Sequence, residues 1–472
     1  MLLMNQEKEK ELVRRIAKLA KQNQKLRNKL KELQDLSEIS GKENEKFKAL
    51  LSQLDPEKLS GLKKETQPPA LMFKMSTVLF AEIQGITNAS PDLDPDLLLD
   101  ELDEIFFEFN AKVKKYNIEK IKTIGDTYMC AGGIPVKNIT NPIEVVLAAL
   151  EMKDFVDKFE KIQKSRDEKI WKIKFGIHTG PVVAEFMGKK KISYDIKGDT
   201  VNTSSRIQSN AEEGKVIISV MTYELVREFF ICEYFGRMPA KYKGDMDLYE
   251  IKGLKPKFAE DEKGIVPNHA FRVKFGLIQF SDMQEIILDK LENELADHLY
   301  YHNVKHTVDV VTEVELMGWA EGVSDEEILL LKTAGLFHDA GHTIGYQDHE
   351  LHGTKLTREI LPKYGYTLEM IDRINEIIMA TKLPPKPTNL LEEIICDADL
   401  DYLGRSDFIP VSNTLYKELK EQNMIGSLND WNKLQVKFIS GHQYFTETAR
   451  NLREVNKQKQ IERISRLIMD EV

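Results

Sequence analysis

Apolar positions along the first sixty residues follow an alternating four-three rhythm through Leu12, Ile16, Leu19, Asn23, Leu26, Leu30 and Leu33. That spacing is a heptad seam and predicts a coiled-coil arm over residues 1–65. Isoleucine at an a position with leucines at d favours two parallel strands. Asn23 also falls on an a position, where a buried amide pair fixes register and dimer state. Arg15, Arg27 and Lys29 flank the seam and repel more than they pair, so the expected dimer is modest in strength. Thr66-Gln67-Pro68-Pro69 ends the arm.

Beyond it the pattern changes. Ser76 to Ala81 is a continuous apolar run of strand type, and Leu97 to Tyr116 repeats apolar residues at helical spacing. A hairpin-like run follows from Ile118 to Gly133, then an amphipathic helix from Asn141 to Phe159 and a strand from Ile170 to Ile177. Strand and helix alternate, so an α/β domain is expected over residues 70–254. Residues 255–270 hold Pro256, Pro267 and the charged run Glu260 to Lys263, the composition of a linker. From 271 to 472 helical periodicity dominates and β-branched runs are scarce, which predicts a second, all-α domain.

Composition narrows the class. The chain has 472 residues, 42% of them hydrophobic, too many for a disordered protein and enough for two or three packed domains. Acidic residues outnumber basic ones 77 to 67 for a formal charge of -10, so nucleic acid is an unexpected partner. Cys130, Cys232 and Cys396 have neither metal nor disulfide spacing, which fits a reducing compartment. Without a signal-peptide pattern or an apolar run near ~20 residues, no membrane span is expected and a cytoplasmic location is.

Three segments of the α/β region carry chemistry. Glu82 closes the run Val78-Leu79-Phe80-Ala81 and precedes Ile83-Gln84-Gly85-Ile86-Thr87. Asp126 sits at a turn in Lys122-Thr123-Ile124-Gly125-Asp126. Carboxylates beside glycine turns can hold Mg²⁺ while backbone N–H groups face phosphates. Tyr194 to Arg206 puts Asn202 and Arg206 one helical turn apart behind a Gly-Asp-Thr turn, a face suited to phosphate. Read alone, this last segment is also a helix start with Thr200 or Asn202 at its cap.

Together with Phe175-Gly176-Ile177-His178-Thr179-Gly180, these segments resemble the catalytic domain of class III nucleotide cyclases over residues 71–254. The resemblance implies a ferredoxin-like βαββαβ core and attack of a ribose 3′-hydroxyl on the α-phosphate of a nucleoside triphosphate, with two Mg²⁺ or Mn²⁺ ions. It implies Glu82 and Asp126 as metal ligands and Asn202 and Arg206 as catalytic residues. Lys174 and Lys243 (or Lys241) would contact the triphosphate, and Ile83, Gly85 and Thr87 would line the substrate. Lys122 and Asp195 fall on the purine-reading positions, where a lysine donor and a carboxylate acceptor suit adenine; the resembling guanylate enzymes use glutamate and cysteine there. ATP is the expected substrate. The family pairs metal carboxylates of one chain with Asn and Arg of the other, so a homodimer is implied. The family usually places aspartate at position 82; glutamate there motivates a competing reading, a nucleotide-binding sensor.

Histidine concentrates downstream, with seven of the chain's ten between residues 298 and 352. His302 and His306 lie four apart, Leu336-Phe337-His338-Asp339-Ala340-Gly341-His342 follows, and Asp397 and Asp399 interrupt an apolar helical run. Imidazole and carboxylate ligands without cysteine suit a hydrolytic divalent metal. The set resembles the HD-domain phosphohydrolases, whose order His, His-Asp, Asp is matched by His306, His338, Asp339 and Asp399. His349 is implied as a ligand to a second metal, and His342 as a ligand or outer partner. Mn, Fe, Mg, Zn and Co all remain open. The Tyr301-His302-Asn303 run is similar to cyclic-nucleotide phosphodiesterases, which implies His302 as the general acid.

Overall fold

The computed structural model describes residues 71–84, 95–165, 171–187, 193–240 and 244–468. The expected coiled coil, with its heptad residues, and Gly85, Thr87, Lys241 and Lys243 lie outside them. All the site residues that are described belong to one compact unit, which spans 70–184 and 195–472.

The α/β part begins with β1 (Leu71–Gln84), α1 (Pro95–Lys115), β2 (Glu119–Ile124), β3 (Thr127–Gly132), α2 (Asn141–Ser165) and β4 (Lys172–Met187). That is the order βαββαβ, and the strands lie β2-β3-β1-β4 with antiparallel neighbours, a ferredoxin-like core. β5 (Ser193–Lys197), α3 (Asp199–Asn210), β6 (Val216–Ser219), α4 (Val220–Val226), β7 (Phe230–Ala240) and β8 (Gly244–Leu254) extend the sheet in the order β4-β6-β8-β7.

Strand β1 is apolar on both faces because both are covered. Leu79, Ala81 and Ile83 point into a cluster with Ile105, Phe109, Val146 and Met152 of α1 and α2, whereas Val78 and Phe80 point into another with Met129, Ala131 and Ile196. Period-2 alternation thus distributes one run between two cores. Each fully buried side chain of this size is worth roughly 1.5–3 kcal/mol.

Helix α3 is held close to the sheet by main-chain contacts. Gly176 leaves room for it, since a Cβ there would sit 2.1 Å from Gln208 N. Ser204 Oγ then donates to Val78 O at 2.8 Å or Gly176 O at 3.0 Å, both buried. The cap of α3 is Gly198, with φ 137° and no side-chain bond. Thr200 instead donates to Pro181 O at 2.7 Å, and Asn202 is exposed, so neither alternative cap residue serves as one.

The proline- and charge-rich stretch after β8 is folded against it. Leu254 N–H donates to Gly264 O at 2.7 Å, and Asp261 Oδ1 accepts Ile265 N and Val266 N at 2.8 and 2.7 Å. Asn268 caps α5 (His269–Glu294) by accepting Phe271 N at 3.0 Å. Helix α5 then serves two cores. Phe271 packs on Phe229 with ring centroids 5.1 Å apart in the sheet's cluster, whereas Phe280, Met283, Ile287 and Leu291 belong to the helical one.

The helical part continues through α6 (Val304–Glu321), α7 (Asp325–Phe337), α8 (His349–Ile360), α9 (Leu368–Ala380), α10 (Leu390–Asp399), α11 (Phe408–Glu421), α12 (Leu428–Gly441) and α13 (Glu447–Ser465). Helix α7 starts at a Ser324/Glu327 capping box and is apolar almost all round, so it runs through the centre. It delivers His338 and Asp339 into the interior. Among the described residues no helix is long and apolar enough to cross a membrane.

Candidate active sites

In the α/β part, Glu82 is in register with Thr127 on β3 and Lys174 on β4. Asp126 occupies the β2–β3 turn beside Gly125, whose φ of +60° favours glycine. Ile83 N–H donates to Asp126 O at 3.0 Å, which fixes the turn against β1. Glu82, Asp126 and Lys174 are therefore neighbours at one end of the sheet. The Ile83 side chain is fully buried in the core, so only its backbone is available to this end of the sheet.

Lys122 Nζ and Asp195 Oδ1 meet at 2.7 Å, half-exposed, although 73 residues separate them. The two purine-reading candidates thus share one spot. Asn202 and Arg206 both lie on the exposed face of α3. Among the described residues neither side chain makes a hydrogen bond or ion pair. The opposite, buried face of α3 carries Gln208, whose Nε2 donates to Glu82 Oε2.

The second cluster sits where α6, α7 and α10 converge. His306 Nε2 is 3.0 Å from Asp399 Oδ1 and 3.3 Å from His338 Nε2, and His338 Nε2 is 3.6 Å from Asp399 Oδ1. Asp339 Oδ2 lies 3.2 Å from His338 Nε2 and 3.4 Å from His306 Nε2, yet receives no well-directed hydrogen bond. Two imidazole nitrogens and two carboxylate oxygens converge here, and the Asp339 oxygen is left without a hydrogen bond, an arrangement that fits a cation at their centre. His338 Nδ1 donates to Gly335 O at 2.8 Å, which turns Nε2 toward that centre. Burial, the largest influence, disfavours charge on His338, but Asp339 and Asp399 outweigh it and hold the imidazole well above its usual pKa.

The other oxygen of Asp339 faces a second group. His349 Nε2 is 3.4 Å from Oδ1 and His342 Nε2 is 3.9 Å away. His342 is buried with both ring nitrogens unpartnered, and burial pulls its pKa down to about 3. A neutral imidazole, which offers one ring-nitrogen lone pair, beside a carboxylate oxygen is again a donor set for a divalent cation. His302 stands close by, its ring nitrogen within 4.8 Å of the ligand atoms of Asp339 and His342, and Asp339 is common to both groups.

His302 Nδ1 is hydrogen-bonded to Glu418 Oε1. Glu418 is fully buried and also accepts Tyr301 N at 2.9 Å, His302 N at 3.2 Å and Tyr346 OH at 3.4 Å. Burial disfavours a charged His302, but the Glu418 bond and the charges of Asp339 and Asp399 raise its pKa above the usual value. Asp397 has a separate task. Fully buried, it accepts Phe445 N at 3.0 Å and Thr446 N at 2.7 Å and so holds the start of α13. Asp399, not Asp397, faces the histidines. A cavity of about 240 Å³ opens beside His306 and Asp399, walled by Tyr301, Tyr402, Val310 and Arg405.

Glu418, Tyr346 and Gln208 were not foreseen from sequence. The signal for Glu418 is faint: a carboxylate on the buried stripe of a helix that also carries Phe408 and Ser412. Gln208 had none beyond its place on α3.

Fold and sites define a two-part protein, a nucleotide-cyclase type of α/β domain followed by a helical part in which histidine and aspartate side chains cluster. Comparison with known proteins gives the families: residues 70–253 match the model of the adenylate and guanylate cyclase catalytic domain, and residues 303–401 match that of the HD domain, in one chain. The chain is 36% identical over 217 residues to receptor-type guanylate cyclase gcy-8 of Caenorhabditis elegans, covering 45% of this chain and 19% of that protein. It is 32% identical over 252 residues to the human guanylate cyclase soluble subunit beta-2, covering 53% of this chain and 39% of the relative. The chain spans about a fifth of the length of the first curated relatives it matches. Similar solved structures include the dimeric guanylyl cyclase domain of RhoGC from Blastocladiella emersonii (26% identity, TM-score 0.36, 39% of this chain and all of that one). The adenylyl cyclase CyaB from P. aeruginosa is another (24% identity, TM-score 0.38, 41% of this chain and all of that one).

Proposed function

We propose that this chain is a homodimeric adenylate cyclase, converting ATP to cyclic AMP and pyrophosphate, joined to a metal-dependent HD phosphohydrolase acting on cyclic nucleotide phosphodiesters. The observation that carries the cyclase reading is the separation on one chain of two half-sites. Glu82 and Asp126 cluster at the end of the sheet, while Asn202 and Arg206 stand unpaired on the outer face of α3. A second chain would bring the missing half, and the arm over residues 1–65 is the proposed device that holds the pair together.

Glu82 and Asp126 would hold two Mg²⁺ or Mn²⁺ ions, which when bound activate the ribose hydroxyl and neutralise the departing pyrophosphate. Arg206 of the other chain places a guanidinium on the α-phosphate, and Asn202 orients the ribose. Lys174 reaches the phosphate tail. Lys122 donates and Asp195 accepts, a pair that matches N1 and the 6-amino group of adenine and mismatches guanine. The curated relatives cited above are named guanylate cyclases, so the adenine preference rests on these two side chains.

In the helical part, His306, His338, Asp339 and Asp399 would hold one divalent cation and Asp339, His342 and His349 a second. Cations bound there would make a nucleophilic hydroxide available near neutral pH. Glu418 keeps His302 protonated, ready to donate to the leaving oxygen.

Mixing tests the composite site. Asp126→Ala and Arg206→Ala chains, each inactive alone, regain cyclase activity when mixed, because one of the two sites in the mixed dimer is then intact. Failure to regain activity in a verified mixed dimer rejects the two-chain site. Tight ATP binding without any cyclic product, with hydrolysis intact, would favour a sensor instead.

A further inference from the structure

Glu82 is reached from the far side by α3. Gln208 Nε2 donates to Glu82 Oε2, and Gln84 Nε2 approaches the same oxygen at 3.4 Å. Among the described residues Oε1 carries no hydrogen bond, so it is the oxygen left for a cation. Gln208 is only 5% exposed, and its backbone position is set by the Gly176 contact and the Ser204 anchor described above. The amide is therefore a fixed donor on a helix that cannot slide.

We infer that Gln208 is a positioning residue for the metal carboxylate, holding Glu82 Oε2 so that Oε1 alone addresses the metal. The inference rests on the cyclase reading above. Its physical basis is simple. A glutamate side chain has three rotatable bonds, and Mg²⁺ demands near-ideal octahedral geometry, so an untethered glutamate is a poor ligand. A neutral amide orients the carboxylate without neutralising it, which leaves the full charge for the cation. A carboxylate at 208 would repel Glu82 and compete for the same ion. An apolar residue there would leave Oε2 without its donor and Glu82 free to turn.

The test uses the full-length chain with the helical site silenced by His338→Ala/Asp339→Ala, so that bound Mn²⁺ reports the other site. Mn²⁺ binding is followed by electron paramagnetic resonance at a fixed concentration of α,β-methylene-ATP, with circular dichroism as the folding control. Gln208→Glu weakens Mn²⁺ binding on the order of tenfold to a hundredfold, the effect of losing an outer-shell partner, and Gln208→Leu weakens it less. In a Glu82→Asp background, where the shorter side chain ends one methylene away from Gln208, both substitutions change binding by less than about twofold. Folded Gln208 variants that bind Mn²⁺ as the parent does overturn the inference, and so does an equal loss in both backgrounds. If Asp126→Ala also leaves Mn²⁺ binding unchanged, the cyclase reading itself has failed and the inference falls with it.

Discussion

Gly176→Ala converts the close approach of α3 to β4 into a measurable loss. The new Cβ would stand 2.1 Å from Gln208 N, 2.6 Å from its Cα and 2.6 Å from its Cβ. Ordinary contact begins at 3.4 Å, so α3 must retreat by about 1.3 Å. Backbone atoms crowd the methyl, and no side chain can rotate away to absorb it. Overpacking of this kind typically costs about 1–3 kcal/mol, which an otherwise intact domain tolerates. The helix that retreats carries Asn202 and Arg206, and a displacement near 1 Å from a productive geometry costs roughly a hundredfold in rate, or about 2.7 kcal/mol of barrier. Cyclic nucleotide formation with Mn²⁺-ATP should therefore fall by about two orders of magnitude. Hydrolysis of a generic phosphodiester by the HD site of the same protein is the internal control and should stay within about twofold. A folded Gly176→Ala protein with cyclase activity within about threefold of the parent would refute the argument that α3 positions the catalytic pair.

Three further outcomes follow from other contacts. Glu418→Gln removes the charge that keeps His302 protonated, so turnover of a cyclic nucleotide should fall by about 10²–10⁴-fold. An aryl diester, whose leaving group needs little protonation, should lose far less, and equal losses would deny His302 the role of acid. Asp397→Ala strips three hydrogen bonds from Phe445 and Thr446 and should destabilise the helical domain by about 2–4 kcal/mol in urea titrations, with metal binding at the folded site preserved. Glu144 is raised to about 7, chiefly by burial and further by the charge of Asp282, against the hydrogen bond from Asn138. The folded state thus holds this proton more tightly than the unfolded chain. Its contribution is full below pH 4.5 and is lost as pH rises through about 7, a change of at most about 3 kcal/mol. Between pH 5 and 8 the parent's melting temperature should drop more steeply than that of Glu144→Gln, and parallel profiles would contradict this.

Much of this arrangement was written into local sequence. The run Val78 to Ala81 marks β1 because a strand covered on both faces needs no polar alternation, and Gly125-Asp126 marks the hairpin turn. The histidine cluster was legible from short spacings, the four-residue step from His302 to His306 and the adjacent pair His338-Asp339. What stayed hidden depends on distant pairing. Glu418 meets His302 across 116 residues, and Gln208 meets Glu82 across 126. No local pattern distinguishes either from an ordinary polar residue on a helix. The stretch 255–268 has the composition of a linker, yet its charged Asp261 is spent on closing a turn. The reach of α5 into two cores could not be read either, because apolar helical spacing does not say which core receives each residue.

The proposed function puts a working ATP cyclase and a separate metal hydrolase on one chain. The direct measurement is product identification by mass after incubating the His338→Ala/Asp339→Ala protein with equimolar ATP and GTP and Mn²⁺, beside the same protein carrying Asp126→Ala. The first should give cyclic AMP and pyrophosphate, with ATP consumed in preference to GTP, and the second neither product. Cyclic GMP as the main product would contradict the Lys122–Asp195 reading. No cyclic nucleotide at all from folded, dimeric protein would contradict the cyclase itself.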